Sequence, residues 1–401
     1  MGKIKTLSCW HDGRKNMKKR SLFVAALLST AVLMSGCENG DGTEPEQTVV
    51  ELDLSGNSDD SGEATEAPDE GTPEDEEEVI PDGMYRSEIT NEIISEDIKD
   101  QRPIAVMVDN ETYAYPHMGL NQADVVYELM NSTANGRITR LMCIVKDWGN
   151  IEQFGSVRSA RPSNFILAGE WNAILIHDGG PYYIQQYVSK DYTNNLSGGF
   201  ARFSNGKATE FTEYVTSDDY TNPSTGKSYD GLIDRIESAG YSTTYNDHYA
   251  GPDFTFCKGG NRELEDGDDA TEIKLPMQHT SSTLKYNESE GVYEYYTYGD
   301  AHIDPLDGDK VMSFKNVIIE DVDFVQLDEH GYMAYYLLVD SPKSGYYCTN
   351  GKCIEITWQK MGEDSNTYYF EVESGMPLEL NTGKTYIGLV PHDQWKDLKI
   401  D

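Results

Sequence analysis

The chain has 401 residues, 32 Lys and Arg against 70 Asp and Glu, a formal net charge of −38, and a hydrophobic share of 38% that includes 27 Tyr. That length accommodates two or three domains. An acid excess of this size excludes nucleic acid and anionic lipid headgroups as main partners, because phosphate binding needs clustered Lys and Arg.

The charge falls into three parts. Residues 1–37 hold seven basic and one acidic side chain, and residues 38–82 hold 18 Asp and Glu with no Lys or Arg. The rest has the mixed charge of an ordinary acidic globular body. Lys18, Lys19 and Arg20 precede an apolar run of 13 residues from Leu22 to Met34, broken only by Ser29 and Thr30. Such a run is too short to span a bilayer as a helix, so residues 1–37 read as a secretion signal, with Met17 as the expected translation start. Its end, Leu33-Met34-Ser35-Gly36-Cys37, resembles the lipobox of bacterial lipoproteins. The resemblance implies that Cys37 becomes the lipidated N-terminus and holds the chain at the extracytoplasmic face of the cell membrane. Residues 38–82, with the block Glu74-Asp75-Glu76-Glu77-Glu78, cannot bury enough surface to offset ordering entropy and are expected to form a disordered tether.

From Pro103 short apolar runs predict buried strands at 104–108, 125–127, 138–145 and 173–176. Pro162 to Trp171 predicts a helix with Pro in its first turn, and 181–188 a second. Tyr229, Leu232, Ile233 and Ile236 share one helical face, with Gly240 as a stop. These elements describe a mixed α/β domain over 83–255. The Gly- and Asp-rich stretch 251–271 marks a boundary. Beyond it, strand-like segments at 284–286, 292–298, 317–319, 332–339, 354–358, 368–372 and 385–390 predict a mostly antiparallel β domain over 270–396. The fold class is α+β.

Successive blocks resemble the YerB-like bacterial lipoproteins, a family whose domains have no assigned function. They are Arg102 to Val108, Gly119-Leu120 through Glu128, Ile138-Thr139-Arg140, Val157 to Pro162, and His177-Asp178-Gly179-Gly180. The second half resembles the family's C-terminal domain at His302 to Asp304, Asn316 to Ile319, Gly351 to Lys360 and Asn381 to Pro391. The chain departs from the family pattern at Asn131 to Gly136, a longer and uncharged stretch. The resemblance implies an extracytoplasmic, membrane-anchored protein of Gram-positive type, and brings no chemistry with it.

The sequence holds no Gly-x-Ser-x-Gly, His-Glu-x-x-His, Walker loop or dinucleotide fingerprint, and no cofactor or metal is expected. Asp304, Asp307 and Asp309 around Gly308 lack EF-hand spacing and read as a solvated turn. The best constellation is Arg140, Arg158, Arg161 and His177. Arg158 and Arg161 precede the helix starting near Pro162, where the helix dipole already places about +0.5 of a charge. Two guanidiniums at that position suit a phosphate or carboxylate held between them, with Arg140 and His177 on the same rim. The alternative is internal bracing against Glu128, Asp124 or Asp178. Cys348-Thr349-Asn350-Gly351-Lys352-Cys353 predicts a two-residue hairpin turn with Cys348 opposite Cys353 in a cross-strand disulfide. Cys143 is expected to be a buried, inert thiol, and Tyr293, Tyr295, Tyr296 and Tyr298 to pack across strands.

Two functional classes follow. One is a non-catalytic envelope lipoprotein that binds an anionic wall component or a partner protein. The other is an enzyme acting on phosphate- or carboxylate-bearing envelope polymers through Arg158, Arg161 and His177. The missing nucleophile favours binding.

Overall fold

The structure, a computed structural model, describes residues 80–401; the expected secretion signal, Cys37 and the acidic segment up to residue 79 lie outside the described residues. Ten strands build most of a central sheet. They are β1 (Ile104–Asp109), β2 (Val125–Met130), β3 (Thr139–Val145), β4 (Ile174–His177) and β5 (Asn194–Ser197). The second half adds β6 (Asn316–Val322), β7 (Asp340–Thr349), β8 (Lys352–Lys360), β9 (Thr367–Glu371) and β10 (Thr385–Pro391). With Asp268–Asp269 the sheet has 11 strands, ordered Asp268–Asp269, β8, β7, β6, β10, β2, β3, β1, β4, β5, and β9 pairs with β8. Strands from both sequence halves therefore lie side by side, β10 against β2.

β6, β10, β2, β1, β4 and β5 all run in one direction, and β3 runs against them. A mostly antiparallel second half was expected, yet β10 is parallel to both of its neighbours. All seven of its residues are buried, as in a strand covered on both faces, and that is where parallel pairing occurs. The expected strand 332–339 shrinks to Ala334–Tyr336, which pairs with Phe324–Gln326 outside the central sheet.

Alternation along β1 sets the layers. Ile104, Val106 and Val108 face a core that includes Leu284, Tyr293 and Tyr295 of a second, six-stranded sheet. Ala105 and Met107 face the opposite core, with Phe165 and Ile166 from a helix and Ile318 and Trp358 from the second half. Both cores draw on residues from both sides of 251–271. Each fully buried Val or Ile contributes about 1.5–3 kcal/mol by leaving water.

Three α-helices are described: α1 (Pro162–Glu170), α2 (Gln185–Val188) and α3 (Leu232–Ser238). α1 starts at Pro162 because a missing N–H is harmless there. Asn164 Oδ1 accepts the Arg161 N–H at 2.7 Å, and every residue of the helix is buried. It stops where Asn172 turns left-handed at φ 52° and Ala173 N–H returns to Ala168 O at 2.9 Å. This geometry points the helix entry at the C-terminal ends of β1 and β4.

Candidate anion-binding site

That edge of the sheet brings three of the four expected side chains together. Asp109 ends β1 and is the register partner of Arg140 near the start of β3. Arg158 N–H donates to Met107 O at 2.9 Å, which fixes the chain beside the end of β1 four residues before α1.

Arg158 Nε lies 2.5 Å from Asp109 Oδ2, and its Nη1 donates to Glu210 Oε2 at 3.0 Å. Its guanidinium also sits 5.5 Å over the Phe211 ring. Arg158 is thus braced, by partners other than the Glu128, Asp124 or Asp178 that the sequence suggested. Arg140 and Arg161 differ. Arg140 Nη1 donates to Asn131 Oδ1 at 3.1 Å, to Ser159 Oγ at 2.9 Å and to the Ser159 carbonyl. Arg161 Nη1 donates to the same Ser159 Oγ at 3.2 Å and to Ala160 O at 3.1 Å. No carboxylate among the described residues is within hydrogen-bond reach of either guanidinium.

Burial, and then the neighbouring Arg161, push the Arg140 guanidinium down to about 9. Burial and then Arg158 push Arg161 down to about 10. A guanidinium keeps its proton at neutral pH, so burial together with a neighbouring guanidinium holds these cations close to one another in poorly solvated surroundings.

His177 ends β4, but its ring is engaged elsewhere. Nδ1 is 2.7 Å from Gly179 O, Nε2 is 3.2 Å from Asn195 Oδ1, and Phe165 packs edge-on at 5.6 Å. Next to it, Arg202 lies between Asp178 at 3.4 Å and Glu213 at 2.6 Å. Burial, with Asp178 beside it, raises the Glu213 carboxyl to about 7.

A second polar cluster lies behind the rim. Buried Glu128 accepts at Oε1 from Thr139 Oγ1 and Ser282 Oγ at 2.8 Å each, Thr280 Oγ1 at 3.0 Å and Asn110 Nδ2 at 3.2 Å. Its Oε2 accepts from Tyr386 and Tyr295 at 2.6 and 2.7 Å. Neutral donors satisfy this carboxylate, so it is a fold-specifying network and offers a ligand no open oxygen.

Asp304 was expected in a solvated turn. It is instead buried, and its carboxylate accepts backbone N–H groups from Gly119 and Leu306 at 3.0 Å and Asn121 at 2.9 Å. No group of three or more His, Cys, Asp or Glu among the described residues is arranged to hold a metal ion. Cys348 and Cys353 are register partners joined by a disulfide, and Asn350 and Gly351 take the turn at φ 50° and 74°. Cys143 is a free thiol whose pKa burial raises, and Cys257 Sγ is 3.3 Å from Asn381 Oδ1.

Asp109, Ser159 and Glu210 were not singled out from sequence. Asp109 carried a readable signal, a charge closing an otherwise apolar strand, whereas Glu210 arrives from a loop 52 residues after Arg158.

Residues 89–230 match the family described as "Protein of unknown function (DUF3048) N-terminal domain", and residues 273–387 match its C-terminal domain. The chain is 24% identical over 321 residues to "Putative lipoprotein YerB" of Bacillus subtilis (strain 168), covering 79% of this chain and 90% of that protein. A crystal structure of YerB protein from Bacillus subtilis superposes with a TM-score of 0.60 at 21% identity, over 79% of this chain and 99% of that one. At that identity the likeness speaks for the fold alone.

Proposed function

Since the chain belongs to the DUF3048 family, whose N- and C-terminal domains it carries in order, we propose that it is a lipid-anchored, extracytoplasmic envelope lipoprotein that binds an anionic wall component without catalysis. Lipidation at Cys37 is supported by the lipobox-like sequence and by the lipoprotein name of the Bacillus relative. Binding rests on one observation: Arg140 and Arg161 converge on Ser159 with no carboxylate bonded to either. An oxyanion there would accept from two guanidiniums and offset a repulsion that the fold leaves in place. Arg158, already paired with Asp109, positions the loop that carries Ser159.

The alternative, an envelope-polymer-processing hydrolase or transferase, needs His177 as acid or base. Both of its ring nitrogens already have partners, so binding is the better-supported reading. Calorimetric titration of the wild type and Arg161→Ala with inorganic phosphate tests the proposal. Loss of one charge-assisted contact weakens binding by about 1.5–3 kcal/mol. Equal titrations for the two proteins reject the site.

A further inference from the structure

Among the described residues the three most exposed tyrosines are Tyr182, Tyr113 and Tyr332, at 85%, 73% and 52%. They sit on three separate segments whose links to the arginine cluster differ: Tyr332 meets Arg161 directly through its backbone, whereas the links of Tyr113 and Tyr182 run through Phe211 and through the Gly179–Ala160 hydrogen bond. Tyr113 packs at 6.3 Å on Phe211, the ring beneath the Arg158 guanidinium. Tyr332 receives Arg161 Nη2 on its carbonyl at 3.5 Å. Tyr182 follows the Gly179-Gly180-Pro181 turn, whose Gly179 O accepts the Ala160 N–H at 3.2 Å, one residue before Arg161.

Cross-strand packing, the role expected of Tyr293, Tyr295, Tyr296 and Tyr298, does not extend to these three, which lie outside the strands. A ligand with apolar faces and a negative group would cover such rings while neutralising the two guanidiniums. We infer that the site takes an acidic saccharide, its phosphate or carboxylate between Arg140 and Arg161 and its ring faces on the surrounding tyrosines. This rests on the anion reading above and adds the ligand class. Tyrosine suits the task because it supplies wide, rigid contact at low entropy cost and a hydroxyl that bonds sugar hydroxyls. A bilayer fits less well: the rings are dispersed over three loops and form no contiguous apolar face, and the acidic body is repelled by anionic lipid.

The test titrates the full-length chain with four probes: inorganic phosphate, glycerol 1-phosphate, N-acetylglucosamine 1-phosphate and glucuronate. At least one of the two sugar acids is expected to bind about tenfold more tightly than glycerol 1-phosphate. Tyr182→Ala and Tyr332→Ala should abolish that ratio while leaving glycerol 1-phosphate affinity unchanged. Neither change removes a buried contact, and Tyr332 meets Arg161 through its backbone. A stronger response to the sugar phosphate supports a phosphorylated glycan, and a stronger response to glucuronate a carboxylated one. Equal binding of sugar and glycerol phosphates, lost in Arg161→Ala, overturns the saccharide inference and leaves the anion site standing. Binding to vesicles of acidic phospholipid with no preference among the soluble probes also overturns it. Failure of every probe to bind overturns both.

Discussion

Arg140 and Arg161 donate to the same hydroxyl, Ser159 Oγ, at 2.9 and 3.2 Å. Two cations sharing a neutral acceptor, with a third guanidinium close by, are unlike a bracing ion pair. The three arginines therefore divide by role, and stability measurements separate them.

Arg158→Ala strips the cation from Asp109, whose side chain is 3% exposed. Asp109 keeps the Glu111 N–H at 2.7 Å, so urea unfolding should show a loss of about 3 kcal/mol, near the lower end for breaking a buried pair. Arg161→Ala removes three bonds to neutral acceptors, Ser159 Oγ, Ala160 O and Tyr332 O, and a repulsion. Its stability should stay within about 1 kcal/mol of the wild type. Equal large losses would assign both arginines to bracing.

Lys360 Nζ and Glu170 Oε2 meet at 2.7 Å with side chains 0% and 2% exposed, joining β8 to the end of α1. Lys360→Met should cost about 3–5 kcal/mol by leaving Glu170 charged and buried among Tyr127 and Thr367. Adding Glu170→Gln should recover much of that loss. A double variant no better than the single one would mean that shape, and not charge, sets the cost.

Buried Glu320 accepts from Tyr369 at 2.8 Å, and burial raises its pKa from 4.5 to about 8. The folded state holds this proton more tightly than the unfolded chain does. The stability it contributes is complete below about pH 4.5 and is lost as pH rises through about 8. Glu320→Gln should therefore unfold at higher urea than the wild type at pH 8, with the difference shrinking toward pH 4.5. A constant difference across that range would assign the effect to packing.

The disulfide joins residues five apart, and loop entropy makes its contribution small, about 2 kcal/mol. Peptide mapping without reductant should recover Cys348 and Cys353 linked, and reduction should lower the urea midpoint slightly. Two free thiols in secreted protein would contradict the hairpin register.

Cys37→Ala should release the chain from membranes and end its labelling by a fatty acid, since the acidic segment that follows has no attraction to anionic lipid. Labelling that persists in the variant would rule out Cys37 as the attachment point.

The local signals in the sequence reached the structure where one element decides the outcome. Pro162 marked the start of α1, Asn350-Gly351 fixed the hairpin, and the unbroken run at 104–108 announced a strand buried on both faces. Direction and neighbour are not local properties. Nothing in Thr385 to Pro391 says that β10 inserts beside β2, more than 250 residues earlier, because parallel pairing needs no turn between the strands. The site followed the same rule. Arg158 and Arg161 stand out as charges beside a predicted helix start and Arg140 as a charge on a predicted strand, whereas the turn of His177 toward Asn195 depends on β5 lying next to β4.

The most direct test of the anion site is an anomalous-difference map from crystals soaked in tungstate, an oxyanion with a strong heavy-atom signal. A peak is expected within hydrogen-bond reach of both Arg140 and Arg161, with at least one guanidinium turned away from Ser159 toward the ion. At saturating tungstate, a site without a peak and with both arginines still on Ser159 would contradict it.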